Sequence, residues 1–197
     1  IAPIIGIIFN NILLLAHIPT ILACRRKGTL GEVNPMPFPL IVANSLSWCF
    51  YSVCSRDPLV FCGNFGGCIS GLWYYSSALQ LADAPTRLRV ETTLIVLVSV
   101  VGLTGFAASM VQDVVAAKSL IGYISLGTVF FLFSSPLSTV VEIVNKKNAD
   151  SINRPFACAQ LMNCLSWLVY GLMVNDLFIA LPNIFGIVMA ITQGLLI

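Results

Sequence analysis

The sequence predicts an all-α integral membrane protein: seven transmembrane helices arranged as two parallel three-helix bundles joined by a linker helix, three plus one plus three. Three observations predict it. The 197 residues are 58% hydrophobic and only 9% charged, with a mean hydropathy of +0.94, whereas a soluble domain carries about a quarter of its residues as charges. Seven apolar stretches are long enough, or nearly so, to cross a bilayer, which takes about 20 helical residues. The chain also repeats itself at a spacing of 119 residues.

The stretches run over 4–24, 38–53, 59–82, 92–111, 119–144, 156–174 and 177–197. They are continuous apolar runs rather than alternating ones, which argues for helices and against a β-barrel. The first carries Asn10, Asn11 and His17 and has no cleavage site, so it does not read as a signal peptide. The chain opens without Met and stops inside an apolar segment, an expectation of trimming at both ends. The second stretch is short, but Pro37 or Pro39 fits a first helical turn, where the missing N–H costs little. The fourth, TTLIVLVSVVGLTGFAASMV, has no counterpart elsewhere in the chain. The fifth contains Pro136 and ends with Glu142 one turn before Lys146, a natural i,i+4 pair.

Basic residues set the orientation. Arg25, Arg26 and Lys27 lie in the first connection, Arg87 and Arg89 in the third, and Lys146, Lys147 and Arg154 in the fifth. Eight of the ten basic residues thus fall on one side, with Arg56 and Lys118 on the other. The first, third and fifth connections are expected to be cytoplasmic, the N-terminus outside or lumenal and the C-terminus cytoplasmic. The net charge of +2 then reflects topology, and no nucleic-acid partner is implied. The seven cysteines show no metal-like spacing and read as small packing residues, with Cys54 and Cys62 the pair best placed to bridge.

The repeat is specific. Between 44–67 and 163–186, eight of 24 positions are identical: Asn44/Asn163, Leu46/Leu165, Ser47/Ser166, Trp48/Trp167, Tyr51/Tyr170, Asp57/Asp176, Asn64/Asn183 and Gly67/Gly186. The same shift pairs Leu13, Thr20 and Lys27 with Leu132, Thr139 and Lys146, and sets His17 against Pro136. The unit is therefore three helices, 1–83 and 118–197, with 84–117 as linker. An odd extra crossing makes the units parallel, related by an axis along the membrane normal.

Polar side chains within a bilayer usually face the bundle interior or a wet cavity. Asn44 and Trp48 are four residues apart, as are Asn163 and Trp167, so each pair shares a helix face. Asn64 and Asn183 begin the third helix of each unit. Together these six predict a ring of amides and indoles around the axis. An amide both donates and accepts, as sugar hydroxyls do, and an indole face meets the C–H side of a sugar ring. A single membrane Asn or Trp more often bonds a neighbouring helix or anchors at an interface; recurrence in both halves favours the ring. Buried carboxylates that would relay protons are missing, which favours passive transport. No clustered His, carboxylate or Ser–His pair suggests an enzyme, a cofactor or a metal. Asp57 and Asp176 read as caps of the outer loops, with a gate as the second reading, alongside Tyr51 and Tyr170. Pro19 and Pro136 lie inside helices and Pro37 and Pro155 at helix starts, a set of candidate bend points.

FPLIVANSLSWCFYSV, SSPLS at 134–138 and DLFIALPNIFG at 176–186 resemble the eukaryotic SWEET sugar transporters over nearly the whole chain. That family is itself a standing example of parallel-repeat transporters. The resemblance implies a uniporter for mono- or disaccharides, with sugar-site residues at Asn64, Asn183, Trp48, Trp167, Asn44 and Asn163. It implies hinge prolines at Pro37, Pro136 and Pro155, the fourth position being His17, with Pro19 two residues on. Asn44 and Asn163 are bulkier than Ser, which leans towards a hexose. Expected partners are the sugar, membrane lipid and a second copy of the chain in a homo-oligomer. The alternatives are a PQ-loop-type solute exporter, against which the lack of a Pro-Gln dipeptide argues, and a seven-helix cargo or signalling receptor, against which the duplication argues.

Overall fold

In the computed structural model the backbone is described for residues 1–146 and 154–195, and side chains for 1–133 and 154–193. The described residues form eight helices: α1 (Ala2–Leu15), α2 (Ile18–Lys27), α3 (Pro37–Ser55), α4 (Pro58–Leu81), α5 (Ala84–Met110), α6 (Val114–Lys146), α7 (Arg154–Met173) and α8 (Leu177–Leu195). These are the seven expected spans, the first being broken in two. Five spans, Ala2–Lys27, Pro37–Ser55, Ala84–Met110, Val114–Phe133 and Arg154–Met173, are long and apolar enough to cross a membrane by length and composition alone. The glycine-rich α4 makes up in length, 24 residues or about 36 Å at 1.5 Å per residue, what it lacks in hydropathy.

The first span, Ala2–Lys27, crosses as one unit and is interrupted at Ala16 and His17, where Pro19 leads one to expect a bend. Ala16 and His17 keep helical dihedrals but end α1 and precede α2. The cause is Pro19, which has no N–H for the carbonyl of Leu15 and whose ring crowds it. A correction concerns α5 and α6, which start at Ala84 and Val114 instead of 92 and 119. Hydropathy marks the lipid, whereas capping marks the helix. Asp83 accepts from Thr86 N at 3.2 Å and Asp113 from Val115 N at 2.8 Å, satisfying donors that an uncapped helix leaves free. Asp57 does the same for Leu59 and Val60, and Asp176 for Phe178.

Each unit is built alike. Helix α4 lies between α1/α2 and α3; α8 lies between α6 and α7. The units meet along α3–α6 and α1–α7, two equivalent seams on either side of the axis. Linker α5 rests on the outer face of α3, where Phe50 covers Gly105 so closely that any Cβ there would collide with its ring. Within the first unit, Tyr74 donates to Leu14 O at 2.6 Å and Asn10 to Gly63 O at 2.6 Å, tying α1 to α4. All seven cysteines are free, Cys54 and Cys62 included. The side chains of Pro136, Glu142 and Lys146 lie outside the described residues.

The repeat extends to the turns that close α3 and α7. Arg56 (φ 55°) and Asn175 (φ 51°) occupy equivalent left-handed positions, and the next residue of each turn bonds back to Ser52 O and Gly171 O. Asn adopts that conformation at lower cost than Arg. Arg56→Asn is therefore expected to raise thermal stability in detergent, by up to about 1 kcal/mol; an unchanged or lower midpoint would count against this reading of the turn.

Candidate functional site

A cavity of about 480 Å³ runs along the axis between the two seams. Its volume lies within the ~300–1,000 Å³ usual for small-molecule sites. Asn44 and Trp48 from α3, Asn64 from α4, Asn163 and Trp167 from α7 and Asn183 from α8 all line it, and so do His17 and Pro37. Helical spacing explains this: each Asn–Trp pair is one turn apart on the helix face that meets the other unit. His17 and the thiol of Cys164 are the ionisable side chains among the described lining residues, and no carboxylate is among them.

The amides are partly committed. Asn64 Nδ2 donates to Val60 O at 2.9 Å and Asn183 Nδ2 to Ile179 O at 2.6 Å, each bonding back one turn on its own helix. Their carboxamide oxygens keep acceptor capacity towards the cavity. Asn44 Oδ1 accepts from Thr128 Oγ1 at 3.2 Å across the α3–α6 seam. The buried Oδ1 of Asn163 has no hydrogen-bond partner.

Small residues seat the indole of Trp167. A Cβ placed on Gly6 would lie 2.8 Å from Trp167 Nε1, and one on Gly63 would lie 2.6 Å from Cζ2. Backbones of α1 and α4 thus grip the ring from two directions. Gly63→Ala forces the ring or the helix to shift, an overpacking cost of about 1–3 kcal/mol. A lowered thermal midpoint is expected; an unchanged one would show that the seat is loose.

At the Arg56/Asn175 end the cavity is closed by two crossed pairs. Tyr51 Oη donates to both carboxylate oxygens of Asp176 at 2.6 Å, and Tyr170 Oη donates to Asp57 Oδ2 at 2.7 Å. Each tyrosine stands one turn beyond its unit's tryptophan and reaches the helix cap of the other unit. Asp176, buried, also holds Lys118 Nζ at 2.6 Å, and the ammonium lies 5.7 Å from the centre of the Tyr51 ring. An apolar plug of Trp48, Tyr51, Val60, Ile121, Trp167 and Ile179 fills the space beneath.

At the opposite end the proline candidates part company. Pro37 is the first residue of α3 and Pro155 the second of α7, so both start helices instead of bending them. In the 119-residue register Pro37 meets Phe156, not Pro155. Phe156 lines the cavity, whereas Pro155 is exposed and does not. Pro19, also exposed, sits just after the break in the first span, and His17 at that break packs edge-on to Tyr74, Phe38 and Phe156 at 5.8, 6.4 and 6.2 Å between ring centres.

Sequence comparison of the halves missed several lining residues: Asn10, Gln160, Gln193, Phe156 and Pro182. Their register partners are Val129, Ile41, Tyr74, Pro37 and Gly63. A search for what the halves share discards what distinguishes them. The signal that could have found Asn10, Gln160 and Gln193 is simply an amide inside an apolar helix.

Two stretches, 3–82 and 119–197, match the family described as sugar efflux transporter for intercellular exchange. The chain belongs to the SWEET family. It is thus a multi-pass membrane protein from a family of transporters, not enzymes. It is 28% identical over 195 residues to the bidirectional sugar transporter SWEET2a of Sorghum bicolor, covering 98% of this chain and 80% of that one. Identity is 27% to SWEET2a of Oryza sativa subsp. japonica with the same coverage, and 26% to SWEET13 of the same plant, covering 91% of this chain and 61% of that one. The solved structure of a eukaryotic SWEET transporter superposes with a TM-score of 0.90, spanning 99% of this chain and 93% of the other at 21% identity, a likeness of fold.

Proposed function

We propose that this SWEET protein is a facilitative transporter that moves an uncharged sugar, a glucose-like hexose in first place, across a membrane by alternating access. The observation that carries this reading is the ring itself: two indoles and four carboxamides from symmetry-related positions lining one axial cavity, with no carboxylate among them. The relatives' names, bidirectional sugar transporters, point the same way. A neutral polyol needs donors and acceptors at modest strength, because a ligand held by buried charges would leave slowly. A guest entering the ring exchanges water for amide partners at nearly equal enthalpy.

The crossed Tyr51–Asp176 and Tyr170–Asp57 pairs act as the gate of one face in this reading, and separate when the units 1–83 and 118–197 rock apart. Pro19, His17 and Pro136, which lie inside their spans, are in this reading the positions where the helices flex, and Pro37 and Pro155 mark the helix starts about which α3 and α7 pivot. The basic first, third and fifth connections face the cytoplasm, so the Tyr–Asp gate is the outer or lumenal one.

Counterflow of radiolabelled glucose in liposomes, with no ion gradient, tests the proposal. Uptake that overshoots and is insensitive to a protonophore is expected. Binding without exchange would point to a receptor, and exchange that needs a proton gradient would end the uniport reading.

A further inference from the structure

The two halves of the ring are not equivalent, although the sequence repeat suggests that they are. Asn44 has its carboxamide oxygen 3.2 Å from the Thr128 hydroxyl, whose single proton it shares with Ser125 O at 2.8 Å, and Ser47 Oγ, 3.2 Å from that hydroxyl, donates to Asn44 O at 2.8 Å. Asn44 therefore belongs to a hydrogen-bonded seam between α3 and α6. The register partner of Thr128 is Phe9, on α1, the helix that packs on α7 as α6 packs on α3. Phe has nothing to donate. Asn163 Oδ1 is accordingly left buried with no partner, and a buried polar group left without one costs more than a made hydrogen bond gains. The terminal torsion of a carboxamide is broad, so a small turn presents this oxygen to the cavity that Asn163 lines. One turn away on the same face is Gln160, whose Nε2 donates to Cys164 Sγ at 3.5 Å, a weak acceptor; its partner in the other half is the apolar Ile41.

We propose that the guest is held in one orientation, its hydroxyl edge against Asn163 and Gln160 on α7 and its less polar edge towards Ile41 on α3. Asn163 is then the specificity-determining acceptor and Asn44 largely a structural residue of the seam. This rests on the sugar-transport reading and deepens it. In a cavity with true two-fold symmetry a ring would have two equal poses; here the unmet acceptor selects one. It selects for a sugar that places a donor hydroxyl at that point.

Two near-isosteric variants, Asn163→Leu and Asn44→Leu, separate the halves when purified in detergent. Without sugar, Asn163→Leu removes an unmet acceptor and is expected to raise the thermal midpoint, whereas Asn44→Leu breaks the Thr128 contact and lowers it. Glucose affinity, read by tryptophan fluorescence, is expected to fall roughly tenfold in Asn163→Leu, equivalent to about 1.4 kcal/mol. Among singly deoxygenated glucoses, one is expected to bind about tenfold more weakly than glucose to the native protein but equally well to Asn163→Leu. Thr128→Val, outside the cavity lining, frees Asn44 and is expected to narrow that discrimination by several-fold. Midpoints that fall alike in both Leu variants, or deoxy-sugar penalties that persist in Asn163→Leu, overturn the proposal while leaving sugar transport intact. A native protein that responds to no sugar overturns the transport reading, and this proposal with it.

Discussion

Replacing Trp167 by Ala, or Asn183 by Ala, is expected to cut glucose counterflow about a hundredfold while the protein remains folded. The indole offers a sugar ring a flat apolar face; losing it forfeits about 1.5–3 kcal/mol of burial and 0.5–1.5 kcal/mol of face-specific attraction. Each 1.4 kcal/mol is tenfold, so the sum lands near two orders of magnitude. Asn183 loses less of its own energy but strands a guest hydroxyl, a penalty of about 1–3 kcal/mol. Trp167 also packs in the apolar plug, so Trp167→Ala is expected to lower the thermal midpoint while keeping a cooperative melt in detergent, and Asn183→Ala, which removes less packing, separates lost binding from lost stability. Trp48→Ala and Asn64→Ala should act in the same direction, since they stand in the same ring. Flux that persists in Trp167→Ala and Asn183→Ala would remove the ring from the mechanism.

The second large effect is expected at the gate. Asp176 carries four interactions at once: the Tyr51 hydroxyl on both oxygens, Lys118 and the amide of Phe178. Asp176→Ala uncaps α8 and strips the half-buried Lys118 ammonium of its partner; because that ammonium is 28% exposed and reaches water, the cost falls below that of a fully buried pair, at about 2–3 kcal/mol. Asp57 carries the Tyr170 hydroxyl and the cap of α4, and among the described residues no cation pairs with it. Asp57→Ala should therefore cost only about 1–2 kcal/mol, the range of a lost cap and one hydrogen bond. Thermal unfolding of the two variants checks the difference. Equal losses would mean that Lys118 contributes nothing to the closed end. Asp176→Asn, which keeps a cap acceptor but drops the ion pair, should fall between native and Ala.

Much of this was legible in the chain. The duplication exposed Asn44, Trp48, Asn64 and their partners because a transporter built from two copies must present the same chemistry twice. Helical spacing then placed each Asn–Trp pair on one face, and the structure brings all six to one cavity. What stayed hidden is what the halves do not share. Gln160 and Asn10 sit opposite Ile41 and Val129, so a comparison that rewards identity passes over them. Pairings across the axis were equally invisible: Tyr51 was seen beside Tyr170, and Asp57 beside Asp176, but nothing in the linear order says that each tyrosine crosses to the other unit's aspartate. Helix ends were misjudged at α5 and α6 because apolar runs report lipid contact, whereas Asp83 and Asp113 start the helices well outside it. Pro19 is legible as a bend point, and the helix is interrupted at Ala16 and His17, which keep helical dihedrals while the regular hydrogen bonding lapses.

The central claim is that the two bundles enclose one neutral guest on their shared axis. A cryo-electron microscopy structure of the protein with bound glucose tests it most directly. Density is expected for a single sugar ring between Trp48 and Trp167, within hydrogen-bond distance of Asn64 and Asn183 and closer to Asn163 than to Asn44. Sugar density elsewhere on the protein, or those four ring residues turned outward to acyl chains, would contradict it.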